Sequence, residues 1–249
     1  MSSLATSLIV LACVFGGALV GMLLRATLPE HHLSPASRDL MKLGMGTIAT
    51  MTALVLGLLV ASAKGSYDTQ SRELTEMSAK IVILDRFLGH YGSETKEARE
   101  LLRKSVAGAL DRIWPGDRSP PPQLEPTGGW GEIYDKIQEL KPKDDAQRSL
   151  QTRALNMVVD LQTRLLIVEQ QATPFSMPLL VAVGFWLTIS FISYSLHASP
   201  NATLVATLFL CALSVSVAIL LVLEMYTPFE GLIQISSAPL RNALAHLGQ

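Results

Sequence analysis

The sequence predicts an all-α membrane protein: four transmembrane helices in two hairpins, with a cytoplasmic helical-bundle insert between them. Three observations carry this. First, 49% of the 249 residues are apolar and only 16% are charged, too hydrophobic for an ordinary soluble domain. Second, four runs carry no charge: 4–24, 44–63, 175–196 and 202–223. Each is about 20 residues, enough at about 1.5 Å per residue to cross a hydrocarbon core of about 30 Å. Third, the charges are segregated. Fifteen of the 20 Lys and Arg and seventeen of the 21 Asp and Glu lie between Gly65 and Thr173, a net −2 that points to neither nucleic acid nor a strongly basic partner.

The first hairpin occupies residues 1–64. The run 4–24 lacks the basic leader and cleavage pattern of a signal peptide and is read as a membrane helix. Its Gly17-Ala-Leu-Val-Gly21 spacing lets another helix approach closely. The connector contains His31-His32, which without a nearby Cys or convergent carboxylate makes no metal site. Cys13 and Cys211 both sit in apolar runs and are read as packing, with no disulfide and no metal. From Gly44 to Tyr91 the uncharged run passes into a charged helical pattern with no proline between them, so one long helix is expected, half in lipid and half in water.

The insert, 65–173, begins on that helix. Gly89, Gly92 and Ser93 mark a turn, and Leu102, Val106, Ala109 and Ile113 repeat at helical spacing, giving a second helix over about 94–114. The prolines and glycines of 115–129 read as an exposed linker. A short helix follows over about 130–140, broken by Pro142. Asp144 then caps a longer helix whose stripe runs Leu150, Ala154, Met157, Leu161, Leu165 and Val168. The second hairpin, 174–224, has only His197 to Asn201 between its spans. The tail, 225–249, is expected to hold two short cytoplasmic helices, starting at Thr227 before Pro228 and at Ser237 before Ala238-Pro239.

Orientation follows the basic residues near the membrane ends. Arg25, Arg38 and Lys42 lie on one side. Lys64, Arg72, Lys80, Arg153, Arg164 and Arg241 lie on the other, which puts the insert and both termini in the cytoplasm.

The candidate functional residues lie on the long helix. Gly46, Ala53, Val60, Tyr67, Leu74, Ile81 and Leu88 share one heptad stripe, with Thr50, Gly57, Lys64 and Ser71 beside it. In a symmetric ring of copies, Thr50, Ala53 and Gly57 would line a passage for inorganic ions, with Lys64 and Asp68 as charged rings at its inner mouth. The water-side residues Leu74, Ile81 and Leu88 are expected to form an oligomer interface. The competing reading is close packing inside the four-helix unit, with Lys64 reaching the headgroups. Glu224 is expected to face water or, as the alternative, to pair with Lys64 on the same side of the bilayer; Asp85 and Arg86 are expected to be solvated, and Asp160 and Arg164 to form a surface pair. No nucleotide loop, nucleophile elbow, paired carboxylates or zinc spacing occurs, so no catalytic residue, cofactor or enzyme activity is expected.

Over nearly the whole chain the sequence resembles a family of bacterial membrane proteins described as bestrophin-like. The residues that carry the resemblance are Val55-Leu-Gly-Leu-Leu-Val-Ala-Ser-Ala-Lys-Gly-Ser-Tyr-Asp68, Pro228-Phe-Glu-Gly-Leu-Ile233 and Ser237-Ala-Pro-Leu-Arg241. The resemblance implies kinship with homopentameric bestrophin ion channels, whose second membrane helices line the pore, and a place in the bacterial inner (plasma) membrane. Bestrophins narrow the pore with aromatic side chains on that helix, and Gly44 to Ala63 has none. They bind calcium through a dense acidic run after the fourth helix, where this chain has only Glu224 and Glu230. Anion selectivity and calcium gating are therefore not carried over. The alternative class is a non-conducting, membrane-anchored helical scaffold or sensor.

Overall fold

The structure is a computed structural model and describes residues 2–27, 35–114, 129–170, 177–197, 201–229 and 231–248. The His31-His32 connector and all but the last residue of the proline-rich linker lie outside the described residues. The order of elements is α1 (Ser3–Thr27), α2 (Pro35–Tyr91), a 3-10 turn (Ser93–Thr95), α3 (Lys96–Ile113), α4 (Trp130–Gln138), α5 (Asp145–Gln170), α6 (Met177–His197), α7 (Ala202–Tyr226) and α8 (Ala238–His246). Among the described residues there is no strand, and four helices, α1, α2, α6 and α7, are long and apolar enough to cross a membrane. The expected long helix is continuous over 57 residues.

The chain forms two compact units. One comprises Met1–Ser66 and Thr173–Tyr226, the other Tyr67–Ala172 and Thr227–Gln249, so α2 gives its first half to one and its second half to the other. In the first unit α1 packs on α6 and α7, with Val14 and Ala18 fully buried among Leu180, Phe191, Leu208 and Ile219. Gly17 and Gly21 permit this approach. A Cβ on Gly17 would lie 2.9 Å from Thr188 Cγ2, and one on Gly21 would run into the Ile192 carbonyl oxygen. Ser216 Oγ donates to the Ser7 carbonyl at 2.6 Å, tying α7 to α1. The first half of α2 joins through Leu59 and Ala63, packed with Val183 of α6 and Val222 of α7.

The second unit is a helical bundle around Leu74, Ile81 and Leu88 of α2, Leu102 and Val106 of α3, Ile133 and Ile137 of α4, Val158 and Leu161 of α5, and Leu240 of α8. Its turns are made by named side chains. Thr95 Oγ1 donates to the Leu88 carbonyl at 2.6 Å, closing the α2–α3 corner, where Gly92 takes φ 135°. Asp144 caps α5 as expected: Gln147 N donates to its Oδ1 at 2.7 Å, while Gln147 Oε1 accepts from Lys143 N at 2.8 Å. Gln151 Nε2 donates to the carbonyls of Ile137 and Leu140 at 2.8 and 3.0 Å, satisfying the exposed end of α4.

One expectation fails at the C-terminal end. Only one helix forms there among the described residues, α8 with Pro239 in its first turn, and no helix starts at Pro228. The chain instead makes a closed loop in which Ile235 N donates to the Pro228 carbonyl at 2.8 Å. Trp114 Nε1 donates to the Ile235 carbonyl at 2.9 Å, Tyr67 OH to the Gln234 carbonyl at 3.3 Å, and Phe229 stacks edge-on against Trp114. Gly231 at φ 92° is incompatible with a helix there.

Candidate functional site

The membrane half of α2 has two unlike faces. Met45, Thr52, Leu59 and Ala63 are buried, between 0 and 8% exposed. On a helix that turns about 100° per residue, Gly46, Thr50, Ala53, Gly57, Ala61 and Lys64 fall on a stripe about 95 to 175° round from that face, and all of these are exposed. Asp68, one turn further, is half-buried. A Cβ on Gly46 or Gly57 would meet nothing within 4 Å. Only 17% of the apolar stretch of α2 is buried, against 28 to 33% for the other three candidate spans. Packing within the chain's own unit therefore does not account for the small residues of this stripe.

The stripe is also mildly polar. Thr50 Oγ1 donates to the Gly46 carbonyl at 2.8 Å and Thr47 Oγ1 to the Leu43 carbonyl at 3.1 Å, so each hydroxyl proton is satisfied within the helix while the oxygen lone pairs stay exposed. One flank is bulky, with Met51, Leu54 and Leu58 each more than half exposed. Small, weakly polar residues beside large apolar ones separate the open surface into a narrow strip and a shoulder.

Other expected residues are placed differently. Leu74, Ile81 and Leu88 are 0, 1 and 1% exposed and packed in the bundle's own core, because α3, α4, α5 and α8 cover the stripe from within the chain. Asp85 is not solvated: it is buried, and its two oxygens accept from Arg99 Nε and Nη2 at 2.7 Å each. Arg86 is exposed. Glu224 is buried rather than facing water. Asp160 and Arg164 do pair, at 3.1 Å, within a wider group that includes Lys80 at 2.6 Å from Asp160 and Glu76 at 3.6 Å from Arg164. The Lys80 hydrogen bond, then that of Arg164, holds the Asp160 carboxyl below its ordinary value against the opposing effect of burial. No cluster of three metal-ligating side chains occurs among the described residues, and Cys13 and Cys211 are free and exposed on the chain's surface.

Sequence reasoning missed the Asp85–Arg99 pair and the closed loop after α7. Fourteen residues separate Asp85 from Arg99, and the turn at Gly92 brings them together. The one sequence signal is an acid on the buried side of the helix between Ile81 and Leu88, where Ile81, Leu84 and Leu88 are its neighbours.

The fold and the open α2 face define an all-helical membrane protein with four candidate spans and a helical bundle. The sequence matches the bestrophin-like domain over residues 12–240, and the chain belongs to that family. Its fold is shared with a bacterial bestrophin homologue from Klebsiella pneumoniae. Two single-substitution variants of that protein match with TM-scores of 0.65 and 0.61 at 12 and 13% identity, covering 98 and 97% of this chain and 100 and 99% of theirs. A crystal structure described as a membrane protein variant matches with a TM-score of 0.65 at 12% identity over 96% of both chains. No curated protein matches the sequence.

Proposed function

We propose that this protein is a bestrophin-like ion channel, a homo-oligomer in which α2 of each copy turns Thr50, Ala53 and Gly57 toward a shared axis, with Lys64 and Asp68 at its inner mouth. The observation that carries the reading is the open face of α2: small and hydroxyl side chains directed away from the chain's own unit. In a ring, such a face leaves room for water and ions, while the Met51, Leu54 and Leu58 shoulder supplies contact to a neighbouring copy or to lipid. Family kinship supports a pentamer. Family kinship also supports a bacterial inner membrane location, the four apolar runs support two hairpins, and the distribution of basic residues supports both termini and the bundle on the cytoplasmic side.

Because Leu74, Ile81 and Leu88 are used by the chain's own core, subunit contacts in this reading fall on other faces of α2 and the bundle. The test is purified protein in liposomes with anion and cation gradients imposed separately. Ion flux is expected, and Lys64→Glu should shift the anion-to-cation permeability ratio toward cations, since a ring of like charges acts on the permeating ion at close range. Absence of flux under both gradients would favour the non-conducting scaffold.

A further inference from the structure

Leu232 stands apart among the apolar residues. It is 76% exposed, the highest value for any large apolar side chain among the described residues. Nearly all other exposed large apolar residues lie in the apolar stretches of the four candidate spans, where lipid is the expected neighbour. Outside those stretches only Ile83, Val159 and Ile167 reach 40 to 49%.

The described residues on either side of Leu232 are held by named contacts. The bond from Ile235 N to the Pro228 carbonyl closes a loop, Trp114 and Tyr67 donate to its carbonyls, and Phe229 stacks on Trp114. Gly231, at φ 92°, turns the chain immediately before Leu232. Such a conformation is open to glycine and strained for other residues, so the presentation of Leu232 is encoded locally.

Two tethers fix how far this loop can be from the bilayer. Leu232 follows Tyr226, the last residue of the α7 span, by six residues, so it lies within about 21 Å of that end at about 3.5 Å per residue. Gln234 is pinned to Tyr67, and Tyr67 lies four residues past Ala63 on the continuous helix α2, a rise of about 6 Å. Tyr67 and Trp114, the loop's two hydrogen-bond donors, are of the residue types that concentrate at the bilayer–water boundary.

We propose that residues 231–235 form a lipid-contact element that seats Leu232 at the boundary between headgroups and acyl chains. No basic residue occurs between Met225 and Leu240, so the recognised feature is the apolar boundary itself and not anionic lipid charge. The proposal rests on α2 and α7 spanning the membrane and is independent of ion conduction.

The experiment places a nitroxide label on Leu232→Cys in a background with Cys13→Ala and Cys211→Ala, in nanodiscs of phosphatidylcholine alone. Collision with oxygen and with a water-soluble nickel chelate is measured. Leu210→Cys, mid-span on α7 and 60% exposed, is the lipid reference, and Asp145→Cys, whose native side chain is 99% exposed, is the water reference. The oxygen-to-nickel ratio at 232 is expected to be several-fold above that at 145 and below that at 210. As a second readout, brominated lipid should quench the fluorescence added by Leu232→Trp. A ratio equal to that at 145, or protection from both reagents as in a contact with another copy, would overturn the proposal. A water-like ratio at 210 would instead remove the span assignment on which it stands.

Discussion

Removing the guanidinium from the buried Asp85–Arg99 pair should be more damaging than removing both charges. Asp85 is 4% exposed and holds Arg99 through two parallel hydrogen bonds of 2.7 Å, a geometry that matches carboxylate to guanidinium. The same carboxylate accepts from Gly248 N at 3.3 Å, so it joins α2, α3 and the C-terminal end. In Arg99→Ala the carboxylate stays buried with that weak contact, at a cost of about 3–5 kcal/mol. Asp85→Ala should cost less, about 1.5–3 kcal/mol, because the Arg99 side chain is 24% exposed and its head can turn to water. The double variant Asp85→Leu, Arg99→Leu leaves no buried charge and should be more stable than Arg99→Ala. Hydrogen exchange of the α3 and α8 amides reads this directly, since about 3 kcal/mol corresponds to a more than hundredfold rise in the opening equilibrium. If the double variant exchanges as fast as Arg99→Ala, the cost is lost packing and the electrostatic reasoning is refuted.

Asp160 should make the bundle acid-sensitive in a defined direction. Its folded-state carboxyl titrates below the ordinary value, so its contribution is present above the unfolded pKa and lost as pH falls through the folded one. Wild-type stability, followed as melting temperature against pH, should therefore fall more steeply below about pH 4 than that of Asp160→Asn, with a free-energy difference of no more than about 1 kcal/mol because the side chain is 42% exposed and screened. Gly21→Ala and Gly57→Ala should differ in sign. The first drives a methyl into the Ile192 carbonyl and should cost about 1–3 kcal/mol in thermal unfolding in detergent, whereas the second meets open space and should leave stability unchanged or slightly raised.

Helix periodicity made most of the fold legible. The absence of proline between Gly44 and Tyr91 foretold the continuity of α2, Asp144 foretold the start of α5, and the Gly17–Gly21 spacing foretold a close helix contact, though not that α6 would be the partner. Periodicity identifies a face that needs cover without saying what covers it. That is why Leu74, Ile81 and Leu88 read as surface for another copy when α3, α4, α5 and α8 already bury them. Asp85 read as solvated because its partner comes from the next helix, and a pair made across a turn leaves no local spacing signal. At Pro228 a helix-start pattern lost to tertiary bonds from Trp114 and Tyr67 and to the backbone of Gly231. On α2, the small stripe was visible in sequence, but its exposure was not: that depends on Met45, Thr52, Leu59 and Ala63 being the face turned inward.

The central claim, that the open face of α2 lines an ion pathway, is tested most directly by cysteine modification during flux. Thr50→Cys, Ala53→Cys and Gly57→Cys, each in a background without Cys13 and Cys211, are assayed in liposomes with a water-soluble methanethiosulfonate. The reactive thiolate needs water, so modification and block are predicted at these three positions and not at Thr52→Cys or Leu59→Cys on the buried face. Flux that continues unchanged after treatment at all three small positions would contradict the account, and would leave the stripe as a contact surface between non-conducting copies.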